Sequence, residues 1–226
     1  MALYTFWEGR MPAYIKLCLA TWKRPYTVLN YDNLHKYTDL NIEPLKRFTL
    51  PQIADCVRVH VLRDHGGYWL DADTIMLSGN LPEETMVGDP VKRTNSIGVL
   101  HAKPGSEMFK EWARYQDEII SGPYTSELWS IMGNSFTDDY LKCHPEVSIC
   151  PIERFYPELS MIGGDISRSE KYRAFYFYES HHLSDLQQTD LLMLHNSWTP
   201  KWYKELTEED VLKMDCTMSN ILREAL

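Results

Sequence analysis

Residues 51–77 read PQIADCVRVHVLRDHGGYWLDADTIML, and in that stretch a helical pattern runs into two glycines and then into a strand that ends in two aspartates. From Gln52 to His65 the apolar residues Ile53, Ala54, Cys56, Val57, Val59, Val61 and Leu62 recur at helical spacing, and Pro51 suits a first turn. Gly66 and Gly67 fit a left-handed helix cap and a tight reversal, and Tyr68, Trp69 and Leu70 carry β-propensity straight into Asp71. Side chains alternate along an extended backbone, so Asp71 and Asp73 point to one side, where both carboxylates can serve one cation or the phosphates it binds. On the helix before them Asp55 and Arg58, three residues apart, share a face that Leu62 and His65 continue.

Taken singly these features are ordinary. A D-x-D pair is mostly a solvated turn, and an Asp/Arg pair at helical spacing is mostly a surface ion pair. The conjunction A-D-x-x-R, a further helical stretch, then G-G-x-x-x-D-x-D is more specific, because every part of it has a structural task. Ala54-Asp55, Arg58, Gly66-Gly67-Tyr68 and Leu70-Asp71-Ala72-Asp73 resemble the core signature of D-x-D sugar-transferring enzymes, the capsular-polysaccharide-synthesis and Och1-like glycosyltransferases of family 32. Phe6-Trp7-Glu8-Gly9 and His195-Asn196-Ser197-Trp198 extend the resemblance over most of the chain. It implies an α/β chain of the GT-A type, a single domain over residues 1–226 with a mixed, mostly parallel central sheet flanked by helices. Residues 1–103 would form the nucleotide-sugar part and residues 104–226 the acceptor and closing part. It also implies a nucleotide-sugar donor, a divalent cation (manganese or magnesium) and transfer with retention of anomeric configuration.

Composition bounds the answer independently. The 226 residues, 44% hydrophobic and 24% charged, suffice for one well-cored α/β domain and are too few for two large ones. A net charge of −9, from 32 acidic against 23 basic residues, argues against a general nucleic-acid-binding surface, while an anionic donor would need local neutralisation. The five cysteines Cys18, Cys56, Cys143, Cys150 and Cys216 form no C-x-x-C pair and read as reduced thiols. No apolar run reaches the ~18 residues of a membrane span and no signal peptide is evident, so a cytoplasmic protein is expected. Peripheral attachment at the inner face of the membrane stays open, although the acidic start of the last helix argues against an anionic lipid surface.

Along the chain, Ala2 to Trp7 reads as a strand, Pro12 to Lys23 as a helix and Tyr26 to Tyr31 as a second strand, the start of a parallel α/β sheet. Ligands collect beyond the carboxyl ends of such strands, so Trp7 can stack on a base, with Gly9 letting backbone approach. A buried core tryptophan is the plain alternative, and the resemblance favours nucleotide contact. The G-x-G-x-x-G and P-loop fingerprints are absent, which removes the dinucleotide and Walker-type readings. Asn95 to Lys103 reads as a strand, with Asn95 a turn residue or a sugar contact, and Ser106 to Ile120 as an amphipathic helix. Gly163-Gly164 reads as a loop near an acceptor, Arg173 to Tyr178 and Leu191 to Leu194 as strands, and Glu205 to Leu226 as one closing helix.

The chemistry follows from the charge that gathers on a leaving diphosphate. Asp71 and Asp73 are the expected cation ligands, and His195, at the end of an apolar strand, is a third through a neutral imidazole. The expected donor-binding set is Trp7, Asp55, Arg58, Tyr68, Asp71 and Trp198. In it Asp55 accepts from a hydroxyl or base, Arg58 offers its fork to phosphate or sugar oxygens, and Tyr68 packs beside the ribose. Because Arg58 shares a helical face with Asp55, Arg58→Ala would weaken donor use and leave the fold intact. The donor expected is a UDP-sugar and the acceptor a glycan or lipid-linked saccharide. Two other classes compete. Asp71-Ala72-Asp73-Thr74 also fits the D-x-D-x-T nucleophile motif of haloacid-dehalogenase-like phosphatases, and seven tryptophans with fourteen tyrosines would suit a carbohydrate-binding module.

Overall fold

The computed structural model describes residues 1–92, 94–124, 128–152, 155, 168–186 and 189–226. The expected acceptor loop at Gly163-Gly164 lies outside them. The chain divides into two compact units, the first made of Met1–Gly9, Pro25–Asp71 and Pro82–Ile152 and the second of Arg10–Arg24, Ala72–Leu81 and Glu153–Leu226.

The first unit is built on a six-stranded sheet. Its strands are β1 (Leu3–Phe6), β2 (Thr27–Leu29), β3 (Gly67–Leu70), β5 (Met86–Asp89), β6 (Thr94–Ala102) and β7 (Ile149–Pro151), in the order β2-β1-β3-β6-β5-β7. β1 runs parallel to β2 and β3, and β5 parallel to β7, while β6 is antiparallel to both its neighbours. This is the mixed, mostly parallel α/β sheet that the sequence implied. Helix α2 (Leu50–His65) packs on β1, β3 and β6, α3 (Glu107–Ser121) packs on α2, and α4 (Asn134–Cys143) packs on β6. Val57, Val61, Trp69, Leu100, Phe109 and Trp112 lie in the core these elements share. Nothing in the sequence reading marked β5, β7 or α4; the two strands are only four and three residues long.

Local chemistry sets both ends of α2. Thr49 and Gln52 form a capping box, Gln52 Oε1 accepting from the Thr49 backbone N–H at 3.0 Å, and Pro51 sits in the first turn, where its missing N–H is no loss. At the other end Gly66 has φ +62° but an extended ψ of −163°, so the chain leaves the helix straight into β3 and not through the left-handed cap expected. A Cβ on Gly66 would lie 2.5 Å from the Pro104 nitrogen, and one on Gly67, at φ +96°, 2.5 Å from the Ala2 carbonyl oxygen. Both obstacles are backbone, which cannot swing aside. Gly67→Ala is therefore expected to lower stability by more than the ~1–3 kcal/mol of backbone strain alone, read as a drop in the urea midpoint; an unchanged midpoint would mean that β1 and β3 separate freely at this point.

The second unit holds a two-stranded antiparallel pair, β4 (Thr74–Met76) with β8 (Leu191–Met193). Against β4 packs α1 (Ala13–Ala20), whose end is tied down by Trp22 Nε1 donating to the Thr74 carbonyl at 2.8 Å and by the Met76 N–H donating to Thr21 Oγ1 at 2.8 Å. Residues 173–178, expected as a strand, are helical: α5 (Arg168–Arg173) continues into a π-turn over Ala174–Tyr178. Their aromatic content raised β-propensity, but helical spacing brings the rings of Tyr172 and Tyr176 to 4.6 Å and sets Phe177 against Tyr203 at 4.8 Å, and packing of this kind overrides propensity. The expected single closing helix is instead α6 (Lys201–Lys204), α7 (Glu208–Lys213) and α8 (Thr217–Ala225), with Met214 and Cys216 in extended conformation between the last two. All five cysteines are free. No helix among the described residues is long and apolar enough to cross a membrane.

Candidate active site

In the first unit the expected residues Asp55, Arg58 and Asp71 come together. Asp71 follows β3, its backbone N–H bonded to the Gly98 carbonyl at 2.8 Å. Its Oδ1 accepts from Trp69 Nε1 at 2.8 Å and pairs with Arg58 Nη2 at 3.1 Å. Trp69 and Asp71 are two apart on an extended chain and so share a face, a relation legible in the alternation. The other carboxylate oxygen of Asp71 has no hydrogen-bond or ion-pair partner among the described residues, and the side chain is 35% exposed. One oxygen is held and the other is available.

Arg58 does not hold its fork free for phosphate or sugar oxygens as expected. It is 4% exposed and its donors are engaged within the protein. Nη2 pairs with Asp55 at 3.0 Å and with Asp71, Nη1 bonds the Ile97 carbonyl, and Nε reaches the Ala54 carbonyl at 3.5 Å, while the guanidinium lies 5.2 Å from the Trp69 ring centre. A desolvated guanidinium shared by two carboxylates orients them, so Arg58 positions Asp71. Asp55 lies beside it with its side chain 14% exposed, and Gly133 lies so near that a Cβ there would be 3.1 Å from Asp55 Oδ2. No signal in the sequence pointed to Gly133 or to the Ile97 carbonyl.

Burial pushes the Asp55 carboxyl up to about 7, with Arg58 opposing and the charge of Asp71 reinforcing. A folded value above the unfolded one means that the folded state holds the proton more tightly, so stability from this group is fully present below about pH 4 and is lost as pH rises through 7. Subtracting the urea midpoints of Asp55→Asn from those of the unaltered protein between pH 4.5 and 7.5 should show the unaltered protein losing ground as pH rises. A difference that is flat or of opposite slope would show Asp55 ionised throughout.

Tyr68 leaves the site. One residue out of phase with Trp69 and Asp71, it is on the other face of the sheet, 7% exposed, with its ring stacked on His101 at 4.4 Å. Trp7 is where the sequence placed it, directly after β1, its backbone N–H bonded to the Leu29 carbonyl at 2.9 Å. Its indole N–H is buried and has no partner among the described residues, a donor left over for a ligand. Asn95 lies within β6 and not in a turn: its side chain donates to Asp138 at 3.2 Å and accepts from Thr137 at 3.0 Å, fastening α4 to the strand.

In the second unit Asp73 and the His195 segment come together. Asp73 precedes β4 and Leu194 follows β8, and the Leu194 N–H donates to the Asp73 carbonyl at 3.1 Å, while the Asn196 N–H donates to Asp73 Oδ2 at 2.7 Å. The His195 ring lies 3.9 Å from that of Trp198, and Tyr172 meets both edge-on. Burial, with Arg168 adding repulsion, lowers the imidazole to about 4, so His195 is neutral near pH 7. Among the described residues no three of His, Cys, Asp and Glu are grouped so as to hold a metal ion by themselves.

No curated protein matches the sequence. Solved structures that are similar include the PaToxG glycosyltransferase, at 14% identity and a TM-score of 0.45 over 63% of this chain and 68% of that one. An active-site mutant of LgtC is similar at 12% identity and a TM-score of 0.42 over 90% of this chain and 93% of that one. The galactosyltransferase LgtC in complex with donor and acceptor sugar analogues gives 11% identity and 0.42 over the same shares. A family model described as "capsular polysaccharide synthesis protein" matches residues 3–149, more than half of the chain, and the protein belongs to that family.

Proposed function

We propose that this protein is a GT-A-type glycosyltransferase that moves a sugar from a nucleotide sugar, a UDP-sugar, to a glycan or lipid-linked saccharide acceptor in the synthesis of capsular or related surface polysaccharide. The reading is metal-dependent, with retention of configuration carried over from the family 32 resemblance. The observation that carries it is the carboxylate of Asp71, one oxygen fixed by Trp69 and Arg58 and the other without a partner among the described residues, at the head of a D-x-D segment. Two peptide links keep the Cα atoms of Asp71 and Asp73 within about 7 Å of each other.

The donor set suits manganese or magnesium: two carboxylates, hard oxygen ligands, with the neutral imidazole of His195 as a further ligand acceptable to manganese. When bound, such a cation supplies Lewis-acid stabilisation of the departing diphosphate. The chain's own residues do the rest. Arg58 and Trp69 keep Asp71 in one orientation before ligand arrives, which removes a reorganisation penalty from the transition state. Trp7 offers its indole face to the base and its unpartnered N–H to a polar ligand atom, and Trp198, packed on the ring of His195, is a further proposed ligand contact.

Product analysis tests the reading. With manganese and a UDP-sugar, slow release of UDP without acceptor and faster release with a glycan acceptor are expected. Cleavage of simple phosphate monoesters instead would establish the phosphatase chemistry of Asp71 and Asp73. Saccharide binding with no nucleotide released under any condition would leave a binding module.

A further inference from the structure

Tyr14, on α1, is fully buried, and its ring packs 5.8 Å from that of Tyr203. A phenylalanine would fill that volume as well, and a buried hydroxyl is costly unless it is hydrogen-bonded. The hydroxyl therefore calls for a reason. It donates to Asn196 Oδ1 at 2.5 Å, and the Thr199 hydroxyl donates to the His195 carbonyl at 3.1 Å in the same segment. Burial and the nearby charge of Asp73 push the phenol far up, so it remains a protonated donor. Asn196 in turn holds Asp73 Oδ2 through its backbone N–H, and its carbonyl accepts from the Thr199 N–H at 3.3 Å. Asn196 is only half-buried and follows the end of β8. Without an anchor its side chain would be free to turn toward solvent, and the peptide plane that aims its N–H at Asp73 would lose its brace.

We propose that the Tyr14 hydroxyl is a positioning group for Asp73, acting through Asn196, so that α1 sets the orientation of the second carboxylate as Arg58 and Trp69 set that of the first. The inference rests on the reading of Asp73 as a cation ligand. With Oδ1 engaged by Tyr14, neither N–H of the Asn196 amide has a partner among the described residues. Groups that orient a metal ligand typically change metal affinity by about 10- to 100-fold when removed. A Tyr to Phe change at a merely structural position alters stability and leaves that affinity alone.

Manganese titration followed by electron paramagnetic resonance, at saturating UDP, separates the possibilities. Tyr14→Phe should raise the manganese dissociation constant about 10-fold or more while circular dichroism stays unchanged. Asn196→Ala keeps the backbone N–H and removes the link, and should weaken manganese binding to a similar degree; the double variant should be no weaker than the worse single one. Should Tyr14→Phe fold poorly, Asn196→Ala alone decides, since its side chain is half-exposed. Manganese affinity equal to that of the unaltered protein in the folded variants overturns the relay and leaves the proposed function standing. An unaltered protein that binds neither manganese nor UDP overturns both.

Discussion

Arg58→Ala is expected to destabilise the protein by about 3–5 kcal/mol, the range for removing one partner from a buried ion pair. That is a large fraction of a typical domain's stability of roughly 5–15 kcal/mol. The side chain is 4% exposed and bridges Asp55 and Asp71 at 3.0 and 3.1 Å while donating to the Ile97 carbonyl. Its loss leaves the mostly desolvated carboxylate of Asp55 without a countercharge, so the penalty should shrink below pH 7 as Asp55 takes up a proton. Arg58→Lys should restore little, because an ammonium cannot reproduce the planar fork that serves two carboxylates and a carbonyl. Urea denaturation at pH 5.5 and 8 checks both the size and the slope. A change within about 0.5 kcal/mol, as surface substitutions give, would return Arg58 to the exposed ion pair that its spacing suggested.

Asp71→Asn and Asp73→Asn should each lower transfer by about 100- to 1,000-fold, the ~2.7–4 kcal/mol that losing one charge-stabilising group takes from a transition state, and should abolish manganese dependence. Asparagine keeps the size, so Asp71→Asn can still accept from Trp69 Nε1, and the backbone bond of Asp73 to Leu194 is untouched. The circular dichroism spectrum of each should match that of the unaltered protein. His195→Ala should lose part of the manganese response. A solvated turn aspartate, the alternative for either position, would change the rate hardly at all.

How much of this was legible in the sequence varies with the kind of signal. Helix α2 and strand β3 were readable because Pro51 in the first turn, apolar periodicity and two glycines all point the same way. The joining of Asp71 to Trp69 was also available from alternation, although the role of Trp69 was missed. The burial of Arg58 was not available: an Asp and an Arg three apart on a helix read as a surface pair, and only the Ile97 carbonyl and Trp69, distant in sequence, take them out of water. Residues 173–178 misled through composition, since aromatic residues favour strands but here stack at helical spacing. The Tyr14 to Asn196 bond joins residues 182 apart in the chain, and no local pattern carries such a pairing. β7 and β5 are too short to show a period.

The most direct measurement is a thermal-shift comparison of nucleoside diphosphates with and without manganese. With manganese present, UDP at 100 times its dissociation constant should stabilise the fold by about 2.7 kcal/mol, GDP less, and both responses should collapse without manganese and in Asp73→Asn. A larger response to GDP would change the donor base and leave the site as described. A UDP response that is the same with and without manganese and survives in Asp73→Asn, or no response to any nucleoside diphosphate, would contradict the assignment of Asp71 and Asp73 as the carboxylates that hold the cation for a nucleotide sugar.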